Sequence, residues 1–294
     1  MQTFADRVAV VTGGAGGLGR AMGERFAQEG MKVVLADVQP EPLAETEREL
    51  RAHGLDVRGV VTDVTDFASV VALRDRTLEL FGAVHVVCNN AGIGAGAEGP
   101  MWEHEMNDWR WAIAVNVMGV VHGINAFVPA MLSQKTEGHI VNTSSGNGGV
   151  SPLPSTPQYA ATKAAVVTLT ECLYGQLQEV GAMISCSVLF PGPHMLRTGL
   201  FESWRSRTPE FAKQRPRQTP YTTVEALEAQ MKAAGITPSY TRVEEVAALV
   251  VDGIRADQFW LQPASERTDA QIHARAESMT ARTNPTYLRA VPGA

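Results

Sequence analysis

The chain has 294 residues, 45% of them hydrophobic and 19% charged, with a formal net charge of −6. That length accommodates one large α/β domain, and that apolar fraction excludes a disordered chain. The acidic balance argues against a general nucleic-acid surface. The three cysteines form neither a C-x-x-C pair nor a zinc spacing, so a disulfide framework and a metal site are both unsupported.

"RVAVVTGG" reads as a short buried strand running into a glycine turn, and "LGRAMGERFAQEG" as a helix stopped by Gly30. "KVVLAD" predicts a second strand, "EPLAETERELRAHG" a polar amphipathic helix and "DVRGVVTDV" a third strand. "FASVVALRDRTLELFG" predicts a helix and "VHVVCNNAG" a fourth strand. "DWRWAIAVNVMGVVHGINAFVPAMLSQ" predicts one long helix interrupted at Gly119. "GHIVNTSS", "YAATKAAVVTLTECLYGQLQEVG" and "MISCSVLFPG" continue as strand, helix and strand. This alternation predicts a doubly wound, mostly parallel Rossmann-type α/β sheet with helices on both faces. Its strands are near-continuous apolar runs, the pattern of a sheet covered on both sides.

The regularity stops after Gly192. Residues 193–241 are rich in proline, arginine and aromatics, including Phe201, Trp204, Phe211, Tyr221 and Tyr240. A long irregular insertion in a compact domain reads as a lid, here over substrate. "RVEEVAALVVDGIRAD" then resumes as a helix and "QFWLQP" as a last strand, with a C-terminal extension over 264–294. The whole chain, 1–294, is read as one domain. No stretch approaches the roughly 20 apolar residues of a bilayer span, and the N-terminus lacks a signal-peptide pattern. With reduced, mostly buried Cys88, Cys172 and Cys186, this predicts a cytoplasmic protein without a membrane partner.

"TGGAGGLG", Thr12 to Gly19, lies between the first strand and the first helix. Glycines there allow a pyrophosphate to approach the backbone, and the helix N-terminus offers it free N–H groups. Asp37 ends the second strand, where a carboxylate accepts ribose hydroxyls and repels a 2′-phosphate. Gly16 leaves the turn without a basic residue, and Arg20 is the nearest one. The pairing predicts NAD as cofactor in preference to NADP.

Seven features come in order: "TGGAGGLG", Asp63–Val64, "NNAG" at Asn89 to Gly92, Asn116, "VNTSS" at Val141 to Ser145, "YAATK" at Tyr159 to Lys163, and Pro191–Gly192. Together they resemble the short-chain dehydrogenase/reductase family over roughly residues 5 to 195. The resemblance implies that Gly13, Ala15, Gly16, Gly17, Leu18 and Gly19 form the pyrophosphate turn. It implies that Asp37 and Val38 hold the adenosine ribose and that Asp63 and Val64 frame the adenine. Asn90, Ala91 and Gly92 are implied to line the cofactor and brace the sheet, and Pro191 and Gly192 to face the nicotinamide. Asn116, Ser145, Tyr159 and Lys163 match the family's catalytic tetrad, with Asn116 implied to interrupt its helix and to hold a water that links Lys163 to solvent.

The chemistry agrees with that likeness. A phenol of pKa about 10 is a poor base, and a neighbouring ammonium favours the phenolate. Tyr159 then acts as base in alcohol oxidation and as acid in ketone reduction, and Ser145 steadies the substrate oxygen. Two departures stand out. Ser145 precedes Tyr159 by 14 residues rather than the family's usual 13, so the loop between them carries one extra residue and Ser144 is a rival. Thr198 comes later after Pro-Gly than the family's threonine, leaving His194 or backbone groups as substitutes.

Trp102, Trp109 and Trp111 are read as packing or interface residues, and Phe201 and Trp204 as substrate walls. The composition of 193–241 implies a bulky, largely apolar or aromatic alcohol or ketone. The long lid and tail are similar to those of bacterial dehydrogenases of lignin-derived aryl-ether alcohols. The alternatives are a redox-neutral or imine-reducing enzyme of this family, or a non-catalytic NAD(H) sensor. Relatives commonly form tetramers through the helices holding Asn116 and Tyr159, so a homo-oligomer, tetramer or dimer, is expected.

Overall fold

The computed structural model describes residues 1–94, 99–215 and 223–290. Tyr221, the end of the basic stretch Lys213 to Gln218, and the last four residues of the tail lie outside them. Seven parallel strands form one sheet in the order β3-β2-β1-β4-β5-β6-β7. They are β1 (Val8–Thr12), β2 (Lys32–Asp37), β3 (Val57–Val61), β4 (Val86–Asn89), β5 (Gly138–Thr143), β6 (Ile184–Leu189) and β7 (Trp260–Leu261). β1, β4 and β5 are buried along their whole length, which is why they read as unbroken apolar runs.

Helices α1 (Gly17–Gln28), α2 (Pro40–Ala52), α3 (Phe67–Phe81), α4 (Met106–Ile113), α5 (Gly119–Gln134), α6 (Pro157–Glu179), α7 (Val224–Ala233), α8 (Val243–Arg255) and α9 (Glu266–Ala281) make up the rest. One core cluster joins β1 and β2 to α1 and α8, through Phe4, Met22, Phe26, Leu35, Val250 and Ile254. A second joins β1, β2 and β4 to α3, α5 and α6, through Leu73, Phe127, Met131, Ile140 and Leu177. The strand order reverses between β1 and β4, so the C-terminal ends of these strands open a crevice there.

Two expectations are corrected. The break in the long helix is a wide π-type turn over Ala114–Met118 centred on Asn116, where the family resemblance put one, and not at Gly119. The rod Met106–Gln134 is long and apolar enough to cross a membrane by length and composition, which the sequence reading missed; just over half of its most apolar window is buried inside the fold. The cysteines are mostly buried, as expected: Cys88 and Cys186 are buried and Cys172 is exposed.

The described part of 193–241 is also more ordered than its composition implies. A bridge between Met195 and Tyr240 closes the excursion at its base. Short 3-10 turns at Gly199–Ser206 and Pro209–Phe211, followed by α7, occupy much of it.

Candidate active site

The turn after β1 is shaped for a close approach. A Cβ on Gly19 would lie 2.0 Å from the Gly13 carbonyl oxygen, so only glycine fits. Gly16 caps α1 with no side-chain hydrogen bond, and the first turn carries no acidic residue. The helix therefore presents its leading N–H groups and positive dipole end without a side-chain cap. Ala15, Gly17 and Leu18 complete this turn. Thr12 Oγ accepts from the N–H groups of Asn90 and Ala91, and Asn90 Nδ2 returns a bond to the Thr12 carbonyl. Thr143 Oγ1 donates to Asn90 Oδ1, so Asn90 ties β1, β4 and β5 together beside the turn.

At the next strand, Asp37 accepts from Ala15 N at 3.1 Å through one oxygen and from Gln39 N at 3.0 Å through the other. A carboxylate oxygen accepts more than one bond, so both keep capacity for ribose hydroxyls. Arg20 is engaged by Glu49 at 2.8 Å. Asp63 holds Thr65 through its backbone N–H and its hydroxyl. Asp37 and Asp63 border a cavity of about 120 Å³, open to solvent, lined also by Gly13, Val38, Val64, Ala91 and Gly92. Trp111, Ile93, Ser206, Thr208 and Phe211 line it too. Sequence reasoning missed these five as cavity residues, and Trp111 had been read as a packing or interface residue. The turn, the uncapped helix and Asp37 fit a dinucleotide.

The second centre lies where β5 meets α6. Ser144 is buried and donates to the Lys163 carbonyl at 2.7 Å, whereas Ser145 Oγ accepts from Asn147 N at 3.2 Å. The neighbouring serines thus have separate partners, as expected of successive strand-end residues. Burial pushes the Tyr159 phenol up, and the nearby Ser145 hydroxyl opposes that shift. Lys163 Nζ lies 5.7 Å from the centre of the Tyr159 ring and donates to the Thr143 carbonyl at 2.8 Å. Burial pulls the Lys163 ammonium down to about 8. Asn116 closes the group from the π turn: Oδ1 accepts from Ile93 N at 2.8 Å, and Nδ2 donates to the Ile93 carbonyl and Thr162 Oγ1. Lys163 Nζ and Asn116 Oδ1 flank Gly92, at 3.3 and 3.4 Å from where a Cβ would stand.

The loop between Ser145 and Tyr159 opens with a wide turn over Gly146–Val150. Gly148 has φ +101°, and a Cβ there would lie 2.0 Å from the Ala160 carbonyl oxygen. The loop therefore seats directly on α6, one residue beyond Tyr159. Arg275 of α9 donates to the Val150 carbonyl at 2.8 Å, with longer contacts to Gly148 and Gly149. Gln158, fully buried beside Tyr159, pairs with His104, and no motif signalled it.

Pro191 and Gly192 follow β6, with Thr241 packed against Gly192. Thr198 sits against Gly17, 3.1 Å from where a Cβ would stand, on the phosphate turn. His194 is exposed and bonded to Ser239. Phe201 is partly buried and Trp204 exposed; neither lines the cavity at Asp37. Among the described residues, no group of three or more His, Cys, Asp or Glu is placed to hold a metal.

The sequence profile of the family described as short chain dehydrogenase matches residues 7–208. A 1-deoxy-11-beta-hydroxypentalenate dehydrogenase of Streptomyces exfoliatus is 34% identical over 92% of this chain and 86% of its own. A C alpha-dehydrogenase of Sphingobium sp. strain SYK-6 is 32% identical over 72% of this chain and 67% of its own. The crystal structure of a short chain dehydrogenase/reductase from Burkholderia phymatum in complex with NAD superposes with a TM-score of 0.87 at 41% identity, covering 97% of this chain and 98% of the other.

Proposed function

The chain belongs to the short chain dehydrogenase family, and from that membership we propose that it is an NAD-dependent oxidoreductase interconverting a secondary alcohol and a ketone. The observation that carries the reading is the Lys163 ammonium 5.7 Å from the Tyr159 ring centre, with the Ser145 hydroxyl near that phenol. Bound NAD supplies the hydride acceptor, and NADH the donor. Tyr159 takes the alcohol proton on oxidation and returns it on reduction. Ser145 donates to the substrate oxygen as its charge develops. Lys163, still largely cationic at neutral pH, stabilises the Tyr159 phenolate, and Asn116 fixes the backbone beside it.

NAD is favoured over NADP because Asp37 stands at the ribose position and Arg20 is neutralised by Glu49. The NAD-bound Burkholderia structure and the hydroxylated substrate in the Streptomyces enzyme's name support both halves of the reading. The aromatic-rich segment 193–241 supports a bulky apolar substrate. Exposed Ile113, Met118, Leu132 and Tyr174 support association of copies through α4, α5 and α6. A solution mass near 31.6 kDa would overturn that association.

The deciding experiment follows reduced-nicotinamide absorbance with NAD⁺ or NADP⁺ and secondary alcohols from small to multi-ring, beside a Tyr159→Phe control. The expected result is NADH formation, at least 100-fold reduced by the substitution, in keeping with the general-base contribution of about 10²–10⁴. Tight NADH binding with no oxidation of any alcohol would favour a redox-neutral reaction or a sensor.

A further inference from the structure

Resting on the cofactor reading above, we propose that the segment Thr198–Lys213 is a clamp on the adenosine half of the dinucleotide, with Ser206, Thr208, Phe211 and Trp111 as binding residues. The floor of the cavity comes from the ends of β2 and β3, at Asp37, Val38, Asp63 and Val64. Ser206, Thr208 and Phe211 of the insertion and Trp111 of α4 complete its wall. The wall offers what a purine nucleoside needs: apolar surface from Phe211, Trp111 and Ile93 for the flat base, and hydroxyls of Ser206 and Thr208 for its polar edge. None of the four catalytic candidates borders this cavity.

The segment is bolted to α4 at that end. Phe211 is buried in a cluster with Ile93, Trp111, Ala112 and Val115. Asp108, 1% exposed, receives Arg207 at 2.7 Å and Lys213 at 2.8 Å. A carboxylate taken this far from water needs such partners, and losing one is costly. The Arg207 guanidinium lies 4.8 Å from the Trp111 ring centre, and its Nε donates to the Phe211 carbonyl. Glu105 accepts the backbone N–H groups of Gln214 and Arg215. Towards the phosphate turn the segment continues across the crevice, where Gly94 N donates to Ser203 Oγ and Thr198 packs on Gly17. The Phe211 and Arg207 anchors meet Trp111, which lines the cavity at Asp37, whereas the Glu105 anchor adjoins His104, the partner of Gln158 beside Tyr159.

The test titrates NADH by fluorescence and ADP-ribose by calorimetry into the full chain and into Asp108→Asn, Arg207→Ala and Lys213→Ala variants. ADP-ribose carries the adenosine half without nicotinamide. The expected result is about a tenfold rise in Kd for both ligands, with faster NADH release by stopped flow. Unchanged Kd values overturn the clamp, as does a loss seen with NADH but not with ADP-ribose. Failure of the unsubstituted chain to bind either ligand overturns the cofactor reading itself, a different pattern. Lys213 is partly exposed, so Lys213→Ala decides the matter if Asp108→Asn does not fold.

Discussion

Lys163 carries its ammonium into a site where burial lowers its pKa to about 8 from an ordinary 10.5. Between those values the unfolded chain binds more protons than the folded one, so this group makes stability rise with pH across that window. Below pH 8 both states are charged and the full desolvation cost is present. The melting temperature of the unliganded protein, measured against Lys163→Met, is expected to gain on the variant from pH 8 to 10; a constant gap would contradict the shift. Ser145→Ala is expected to lower kcat by about 10²–10³, the effect of removing one oxyanion donor. A matching rise in KM with kcat intact would instead place Ser145 in ground-state binding. The tetrad was legible because its members are tied to named motifs in a fixed order. The cavity residues Trp111, Ser206 and Thr208 were not, because nothing in their local sequence marks a neighbour a hundred positions away.

The strands and most helices were legible from apolar runs punctuated by glycine. The break at Asn116 was legible only through the family resemblance, since it is held by Asn116 reaching Ile93, a contact 23 residues distant that leaves no period in the sequence. The described residues of 193–215 read as irregular for the same reason: their order comes from Asp108, Glu105 and the apolar cluster at Trp111. The helix α9 buries no residue, yet Arg275 reaches the carbonyls of the turn that follows Ser145. That turn also holds itself, by Gly149 N to the Ser145 carbonyl and Ser151 N to the Gly146 carbonyl. Arg275→Ala removes a charged donor from carbonyls, a bond worth about 1.5–3 kcal/mol. Hydrogen exchange at Gly149 and Ser151 is expected to quicken at least tenfold while β5 keeps its protection, and Arg275→Lys is expected to recover part of the difference. Unaltered exchange would show that the turn stands without α9.

At the scale of the whole molecule, buried histidines set the acid limit. His139, in the middle of the sheet, bonds to Ser187 Oγ at 2.6 Å, and burial lowers its pKa from 6.5 to about 4. His85, which accepts from Val8 N, is lowered to about 4 chiefly by burial, with Arg7 adding to it. With folded pKa below unfolded, stability is lost as pH falls from 6.5 towards 4. For His139 the loss is on the order of 3 kcal/mol. The urea midpoint is expected to drop steeply over that range and less steeply in His139→Gln; parallel curves would assign acid unfolding to other groups. The partnership of α1 with α8 reaches beyond equilibrium. Phe26 and Met22 share a core with Val250 and Ile254, and Gln2 and Glu29 both bond Arg255. Over 200 residues separate the two helices in the chain. At ribosomal rates of about 5–20 residues per second, α1 waits roughly 10–40 s for its cover. During synthesis the apolar face of α1 is the surface a chaperone would meet first.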